Sequence, residues 1–373
     1  MPKMKTKKPL KICLIAISYG RGGLERTTTL LSQMLSEKGF EVTNIILTDE
    51  IDYEFSGELF NLGKLKKSPD LPLSRILRFR KLKKFLQKEQ FDFIIDHRPR
   101  NNWLKEYFYL KYIYKNQALI YVIHNFMTWN YLTNKKWMTK KMIAQTKGIV
   151  AVSQAITEKL KAEFKNIHLK TIYNPMEELS TEKLVDFSLK NKKYILFLGR
   201  LDSEIKNLPL MMEAYKKTKL FEKNIKLVLM GSGNYEKLQK KAKDLNIEKE
   251  VIFQTYDPNV GYYLKQAIFL CLSSKYEGFP MVLVEALSVG TPVVSVDCDS
   301  GPKEVIQHEK NGLLVENNNP EALAKAMNRM ITDQELYRKC KENARQSIAH
   351  LKTSEIAEVW ENYLYNLKSM NRN

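Results

Sequence analysis

A chain of 373 residues, 44% of them hydrophobic, holds more apolar material than one ordinary core accommodates and suits two α/β domains. The formal charge of +19 is lopsided: residues 1–180 hold 32 Lys and Arg against 17 Asp and Glu, so 15 of the 19 net positive charges fall in the N-terminal half, a field that favours an anionic partner and says nothing of fold. Cys13, Cys271, Cys298 and Cys340 lie far apart with no CxxC, which argues for reduced, buried thiols and against zinc, and the apolar run Ile12 to Ile17 is too short for a secretory segment or a membrane span, so a cytoplasmic chain is expected.

Leu10 to Ser18 reads as a strand, Gly20-Arg21-Gly22-Gly23 as a glycine turn, and Leu24 to about Lys38 as a helix stopped by Gly39. Short apolar runs recur at Val42 to Leu47, Phe91 to Ile95, Leu119 to Ile123 and Ile149 to Val152. Strands that are apolar throughout are buried on both faces, which predicts a parallel sheet covered by helices. Between Val42 and Phe91, the stretch Arg75 to Lys88 reads as one basic helix with Ile76, Phe79, Leu82, Lys83 and Leu86 at helical spacing. A polar stretch from Asn174 to Asn191 looks like an interdomain connection. A second alternation follows, with strands at Tyr194 to Leu198, Lys226 to Met230, Val251 to Phe253, Ile268 to Leu272 and Val293 to Val296. Glu321 to Met330, Gln334 to Ala349 and Ser354 to Lys368 read as helices. The expected division is 1–178, 179–353, and a C-terminal helix at 354–373 that returns to the first domain.

The richest segment is Tyr276-Glu277-Gly278-Phe279-Pro280-Met281-Val282-Leu283-Val284-Glu285-Ala286-Leu287, followed by Gly290-Thr291-Pro292-Val293-Val294. Pro280 suits the first turn of a helix and Gly290 its other end, so the N–H groups of Met281, Val282 and Leu283 are expected to point out of the helix start at a phosphate. Two glutamates in this pattern resemble the signature of family 4 retaining glycosyltransferases, whose fold is GT-B: two Rossmann-like domains facing a cleft. The resemblance implies that Glu277 contacts the donor sugar and Glu285 the ribose hydroxyls. Gly199-Arg200-Leu201-Asp202-Ser203-Glu204-Ile205-Lys206-Asn207, directly after a strand, resembles the family's GRL element. Arg200 and Lys206 would neutralise the leaving diphosphate, the first with a bidentate fork and the second as a point charge.

Three weaker resemblances complete the site. The loop Gly20 to Arg26 is similar to the family's GGxER loop, which would bring Gly22 and Gly23 near the donor phosphate or the acceptor; Glu25 stands where a dinucleotide fingerprint needs its third glycine. His124, ending an apolar strand, matches a histidine that the family places facing the donor sugar, and His97 with Arg98 is an acceptor-side candidate. Asp297-Cys298-Asp299-Ser300-Gly301-Pro302-Lys303-Glu304 is similar to a stretch common in users of UDP-linked hexoses or N-acetylhexosamines, and Gly231 is expected near the nucleotide. The resemblance implies a UDP- or GDP-sugar donor, a glycan or lipid-linked acceptor of surface polysaccharide, no cofactor, and no metal, with no Asp-x-Asp pair of the metal-using kind recognised. Nucleic acid is not an expected partner; peripheral docking of the basic helix on anionic membrane is. The alternatives are a non-catalytic basic protein that binds membrane or nucleic acid and a UDP-sugar epimerase of the same fold.

Overall fold

The computed structural model describes residues 9–20, 22–66, 72–165, 167–182 and 189–370. Arg21 of the glycine loop and residues 183–188 of the expected connection lie outside the described residues. The chain forms two compact units. One runs to Pro175 and takes in the C-terminal helix from Thr353, and the other is Met176–Lys352.

In the first unit, strands β1 (Lys11–Ala16), β2 (Glu41–Ile46), β3 (Glu58–Asn61), β4 (Phe93–Asp96), β5 (Leu119–Ile123), β6 (Thr146–Ala151) and β7 (Leu169–Thr171) form a parallel sheet in the order β3-β2-β1-β4-β5-β6-β7. Ile12, Ile94, Ile95, Ile120 and Val150 have no exposed surface, as continuous apolar strands between helical layers require. Helix α1 (Gly23–Glu37) follows β1, and the C-terminal helix Thr353–Met370 packs in the same unit. Lys38 reaches Glu361 at 3.1 Å, and the Phe40 and Tyr365 ring centroids lie 5.6 Å apart. Helix α2 (Pro72–Glu89) covers and extends the basic helix expected at Arg75 to Lys88. Its apolar stripe is core in the second half only: Leu82 and Leu86 are fully buried, whereas Ile76 and Leu77 are about half exposed.

In the second unit, β8 (Lys193–Leu198), β9 (Ile225–Gly231), β10 (Val251–Thr255), β11 (Leu270–Leu272), β12 (Val293–Asp297) and β13 (Gly312–Glu316) form a parallel sheet in the order β10-β9-β8-β11-β12-β13. The order reverses between β8 and β11, the switch point at which open α/β sheets hold ligands. Five strands were expected in each set, so β3, β7 and β13 are additions, and all three are edge strands. The four cysteines are buried and unpaired. Among the described residues no helix is long and apolar enough to cross a membrane.

Candidate functional site

The second unit gathers its candidate residues at the C-terminal ends of β8, β9, β11 and β12. The β8 and β9 ends approach so closely that a Cβ on Gly231 would stand 1.7 Å from the Gly199 carbonyl oxygen, so this crossing excludes any side chain at 231. Beyond Gly199 the Leu201 N–H donates to Ser232 O at 2.7 Å, and the chain turns through Glu204–Lys206 to Asn207, which is left-handed with φ 49°. Two neighbours fix that turn from β11. The Ser273 hydroxyl donates to the Lys206 carbonyl at 2.9 Å, and the Lys275 N–H donates to Ile205 O at 2.8 Å.

So held, Lys206 places its Nζ 2.7 Å from Glu277 Oε1, with 20% and 12% of the two side chains exposed. The contact joins the two principal motifs across 71 residues of sequence. Arg200 is not part of it: its guanidinium is 70% exposed and pairs with Asp202 Oδ1, 3.2 Å from Nη2.

The Glu277 loop is braced by the stretch after β12. The Glu277 N–H donates to Asp299 O at 3.0 Å and the Ser300 hydroxyl to Gly278 O at 2.7 Å. Gly301, at φ 98°, lies so close that a Cβ would meet Pro280 Cδ at 2.3 Å, so both the turn and the approach require glycine there. Helix Met281–Ser288 then begins, with Pro280 as its N-cap instead of inside its first turn. The expectation of three free amides is corrected here. The Met281 N–H donates to Phe279 O and the Leu283 N–H to Pro280 O, both at 2.9 Å, which leaves Val282 as the one without such a bond among the described residues. Phe279 and Leu283 are themselves buried, so their side chains are core. Glu285 sits half-buried in the second turn of this helix.

Sequence reasoning missed Ser273 and Ser274. A polar pair directly after an apolar strand was the available signal for the serines, and the buried Ser274 hydroxyl has no hydrogen-bond partner among the described residues. Burial, with Glu277 beside it, pushes the Cys298 thiol up to about 12, so it stays protonated. Asp297 and Asp299 do have the Asp-x-Asp spacing that the sequence reading does not assign; both are exposed.

In the first unit, the Arg26 N–H donates to Gly22 O at 3.0 Å where α1 begins. A Cβ on Gly22 would meet Glu25 Oε2 at 2.1 Å, while Gly23 has open space around it. His97 and His124, at the ends of β4 and β5, are brought together, with Nδ1 of the first 3.0 Å from Nε2 of the second. Their other ring nitrogens, His97 Nε2 and His124 Nδ1, have no partner among the described residues. Burial pulls His97 down to about 3, and burial with His97 and Arg100 nearby pulls His124 far below the ordinary histidine range. Arg98 does not fit the acceptor role expected of it: it is fully buried, with Nη2 2.7 Å from Asp96 Oδ2 and its carbon 4.2 Å from the centre of the Tyr109 ring.

The histidine pair carries a pH prediction. Both rings stay neutral in the fold while an unfolded chain protonates them below about 6.5, so stability is full above that pH and falls as pH drops toward 3. The loss is expected to steepen from about 0.7 kcal/mol per pH unit for each histidine at pH 6.5 to about 1.3 near pH 5. Urea midpoints across that range check it. A His97→Gln/His124→Gln variant with the same slope as wild type would show that the pair does not cause it.

Two family models match this chain: "Glycosyltransferase Family 4" over residues 21–178, and "Glycosyl transferases group 1" over residues 181–347. A relative from Campylobacter jejuni, named N-acetylgalactosamine-N,N'-diacetylbacillosaminyl-diphospho-undecaprenol 4-alpha-N-acetylgalactosaminyltransferase, is 29% identical over 357 residues, covering 90% of this chain and 94% of the relative. Among solved structures, TarM superposes with a TM-score of 0.77 at 15% identity, covering 97% of this chain and 100% of that one. Anabaena HepE in complex with UDP and glucose gives 0.76 at 17% identity, covering 96% and 100%. At such identities the structures speak for the fold alone.

Proposed function

Because this chain belongs to the family 4 type of glycosyltransferase with the GT-B fold, we propose that it moves a hexose or N-acetylhexosamine from UDP onto a glycan or lipid-linked glycan, with retention at the anomeric carbon and without a metal. The observation that carries the reading is the Lys206–Glu277 pair of 2.7 Å at the strand ends of the second unit. A cation held there by Ser273 and Lys275 is preorganised for charge that develops on a departing phosphate, and such electrostatic stabilisation is commonly the largest catalytic term. Glu277 in turn offers an acceptor to a sugar hydroxyl. The serine-glycine-proline loop that braces it supports a UDP donor, as do the UDP complexes of the structural neighbours. The diphospho-undecaprenol in the relative's name supports a lipid-linked acceptor.

With UDP at a hundred times its Kd, the protein is expected to be stabilised by about 2.7 kcal/mol, and by less with GDP or ADP at the same concentration. Glu285→Ala should abolish most of that shift and raise donor KM about 10- to 100-fold, since ribose hydroxyls would lose a charged acceptor worth roughly 1.5 to 3 kcal/mol. Equal shifts with all three nucleotides would remove the UDP assignment. Transfer lost in EDTA and restored by a divalent cation would overturn the metal-free reading and turn attention to Asp297 and Asp299. Conversion of a UDP-sugar without acceptor would make the chain an epimerase.

A further inference from the structure

The first unit holds a pair of polar groups that the donor chemistry of the second unit does not use. The order of its sheet reverses between β1 and β4, a switch point of the kind beside which open α/β sheets hold ligands. His97 directly follows β4 there, and His124 directly follows the neighbouring β5. His97 is buried, with its backbone N–H donating to Ile15 O at 2.9 Å, whereas His124 keeps part of its surface exposed at that edge. The guanidinium of Arg100, itself buried, donates to the carbonyls of Asp96 at 2.8 Å, Val122 at 3.0 Å and Tyr131 at 2.8 Å. One cation thereby ties together the ends of both strands and the segment beyond β5, and the two imidazoles stand 5.2 Å apart between centroids.

A hydrogen bond between two neutral imidazoles restricts both. The 3.0 Å contact joins His97 Nδ1 to His124 Nε2, so one of these atoms carries the hydrogen and the other accepts it. If His97 Nδ1 donates, each ring carries its hydrogen on Nδ1. If His124 Nε2 donates, each carries it on Nε2. The two rings therefore share one tautomer, and the outer atoms, His97 Nε2 and His124 Nδ1, are always one donor and one acceptor that exchange roles together. Both outer atoms are buried with no partner among the described residues. A third group that bonds either of them selects the tautomer of the pair.

Both rings line a cavity of about 10 Å³, together with Thr27, Asn174 and Trp360 of the same unit. That is about the space that one water molecule needs, and the walls carry the polar groups to hold it. The Asn174 amide both donates and accepts. The Thr27 hydroxyl donates to Gly23 O at 2.8 Å and keeps a lone pair of its own. With a histidine nitrogen, these supply the two to four partners that an internal water requires.

We propose that His97 is a positioning residue for the transfer reaction: with a single water in this cavity, it fixes the ring orientation and the tautomer of His124 at the ligand edge of the first sheet. His97 itself touches no reacting atom and acts through His124. This role deepens the transferase reading given above and rests on it.

Magnetic resonance of the full chain labelled with ¹⁵N-histidine at neutral pH reads the tautomers, with single histidine variants to assign them. Wild type is expected to show His97 and His124 in the same tautomer, with a cross-peak from a ring of the pair to a long-lived water. Opposite tautomers, or no such cross-peak, overturn the proposal. Asparagine places its amide near the position of Nδ1 and glutamine near that of Nε2, so His97→Asn should keep the contact with His124 and His97→Gln should lose it. His97→Gln is accordingly expected to lower kcat about 10- to 100-fold with donor KM changed far less, and His97→Asn to recover most of that loss. Equal kinetics in the two variants overturn the proposal. Should His97→Gln lower the Tm, Asn174→Ala decides in its place, since it leaves the contact between the rings and removes a partner of the water. Both tautomers should then appear in both rings and kcat should fall, whereas a single unchanged tautomer overturns the proposal. A protein that UDP stabilises, but in which His124→Ala transfers at the wild-type rate, loses this inference alone. Absence of any UDP effect sinks the donor reading itself.

Discussion

Replacing Lys206 with alanine is expected to lower kcat by about 100- to 1000-fold while changing donor KM far less, the range seen when one preorganised donor to a developing charge is removed. The argument begins with position: the backbone of Lys206 is held by Ser273 and Lys275, so its ammonium does not have to reorganise as phosphate charge grows. Its partner Glu277 is only 12% exposed, so removing the cation also leaves a carboxylate with little solvent to compensate it. Glu277→Gln should therefore lower kcat as well, and the double variant should lose less than the product of the single losses, because the two side chains act as one unit. Arg200→Ala is expected to cost about tenfold or less, since that guanidinium is 70% exposed and paired with Asp202. Steady-state kinetics on the four variants check this order. A Lys206→Ala enzyme with unchanged kcat and raised KM would reduce the residue to ground-state binding.

What the sequence made legible follows from how strongly each segment is buried. The central strands, such as Ile12 to Ala16 and Tyr194 to Leu198, are covered on both faces, and their uninterrupted apolar runs announced two parallel sheets. The missed strands are edges: every residue of Glu58–Asn61 is partly or fully exposed, and Leu169–Thr171 has only three residues, so neither carries a period that could be read. The Glu277 and Lys206 motifs were visible because each is local, but their 2.7 Å contact was not, since it depends on β8 and β11 being neighbours in the sheet. Amide occupancy at the helix start was also hidden, because Pro280 takes the N-cap position and turns its carbonyl to Leu283. Asp96-His97-Arg98-Pro99-Arg100 reads as a polar loop in one dimension; that both arginines are buried depends on Glu106, Tyr114 and Tyr131, which come later in the chain.

That buried cluster sets the second large expectation: Asp96→Asn should destabilise the protein by about 3 to 5 kcal/mol at pH 7. Asp96 has no exposed surface and accepts from Arg98 Nε at 3.0 Å, Arg98 Nη2 at 2.7 Å and the Tyr114 hydroxyl at 3.0 Å, with Arg100 Nη1 3.3 Å away. Neutralising it leaves two guanidinium groups without exposed surface, and Glu106 is a poor substitute because burial holds its carboxyl above the ordinary range despite Arg98. Arg100 retains three carbonyl acceptors, Tyr131, Asp96 and Val122, so the unsatisfied charge falls mainly on Arg98. Asp96→Asn/Arg98→Met should accordingly be more stable than Asp96→Asn alone, since removing both partners deletes the uncompensated cation. Burial by itself would raise the Asp96 carboxyl, but the charges of Arg98 and Arg100 outweigh it and hold the group below the usual carboxylate value. Its contribution is therefore present above about pH 4 and is lost as pH falls through the lowered folded value, so the gap between wild type and Asp96→Asn should narrow in acid. Urea denaturation of the three proteins at pH 7 and near pH 3 measures this. A loss below about 1 kcal/mol at pH 7, or a double variant less stable than the single one, would show that the cluster does not depend on its central carboxylate.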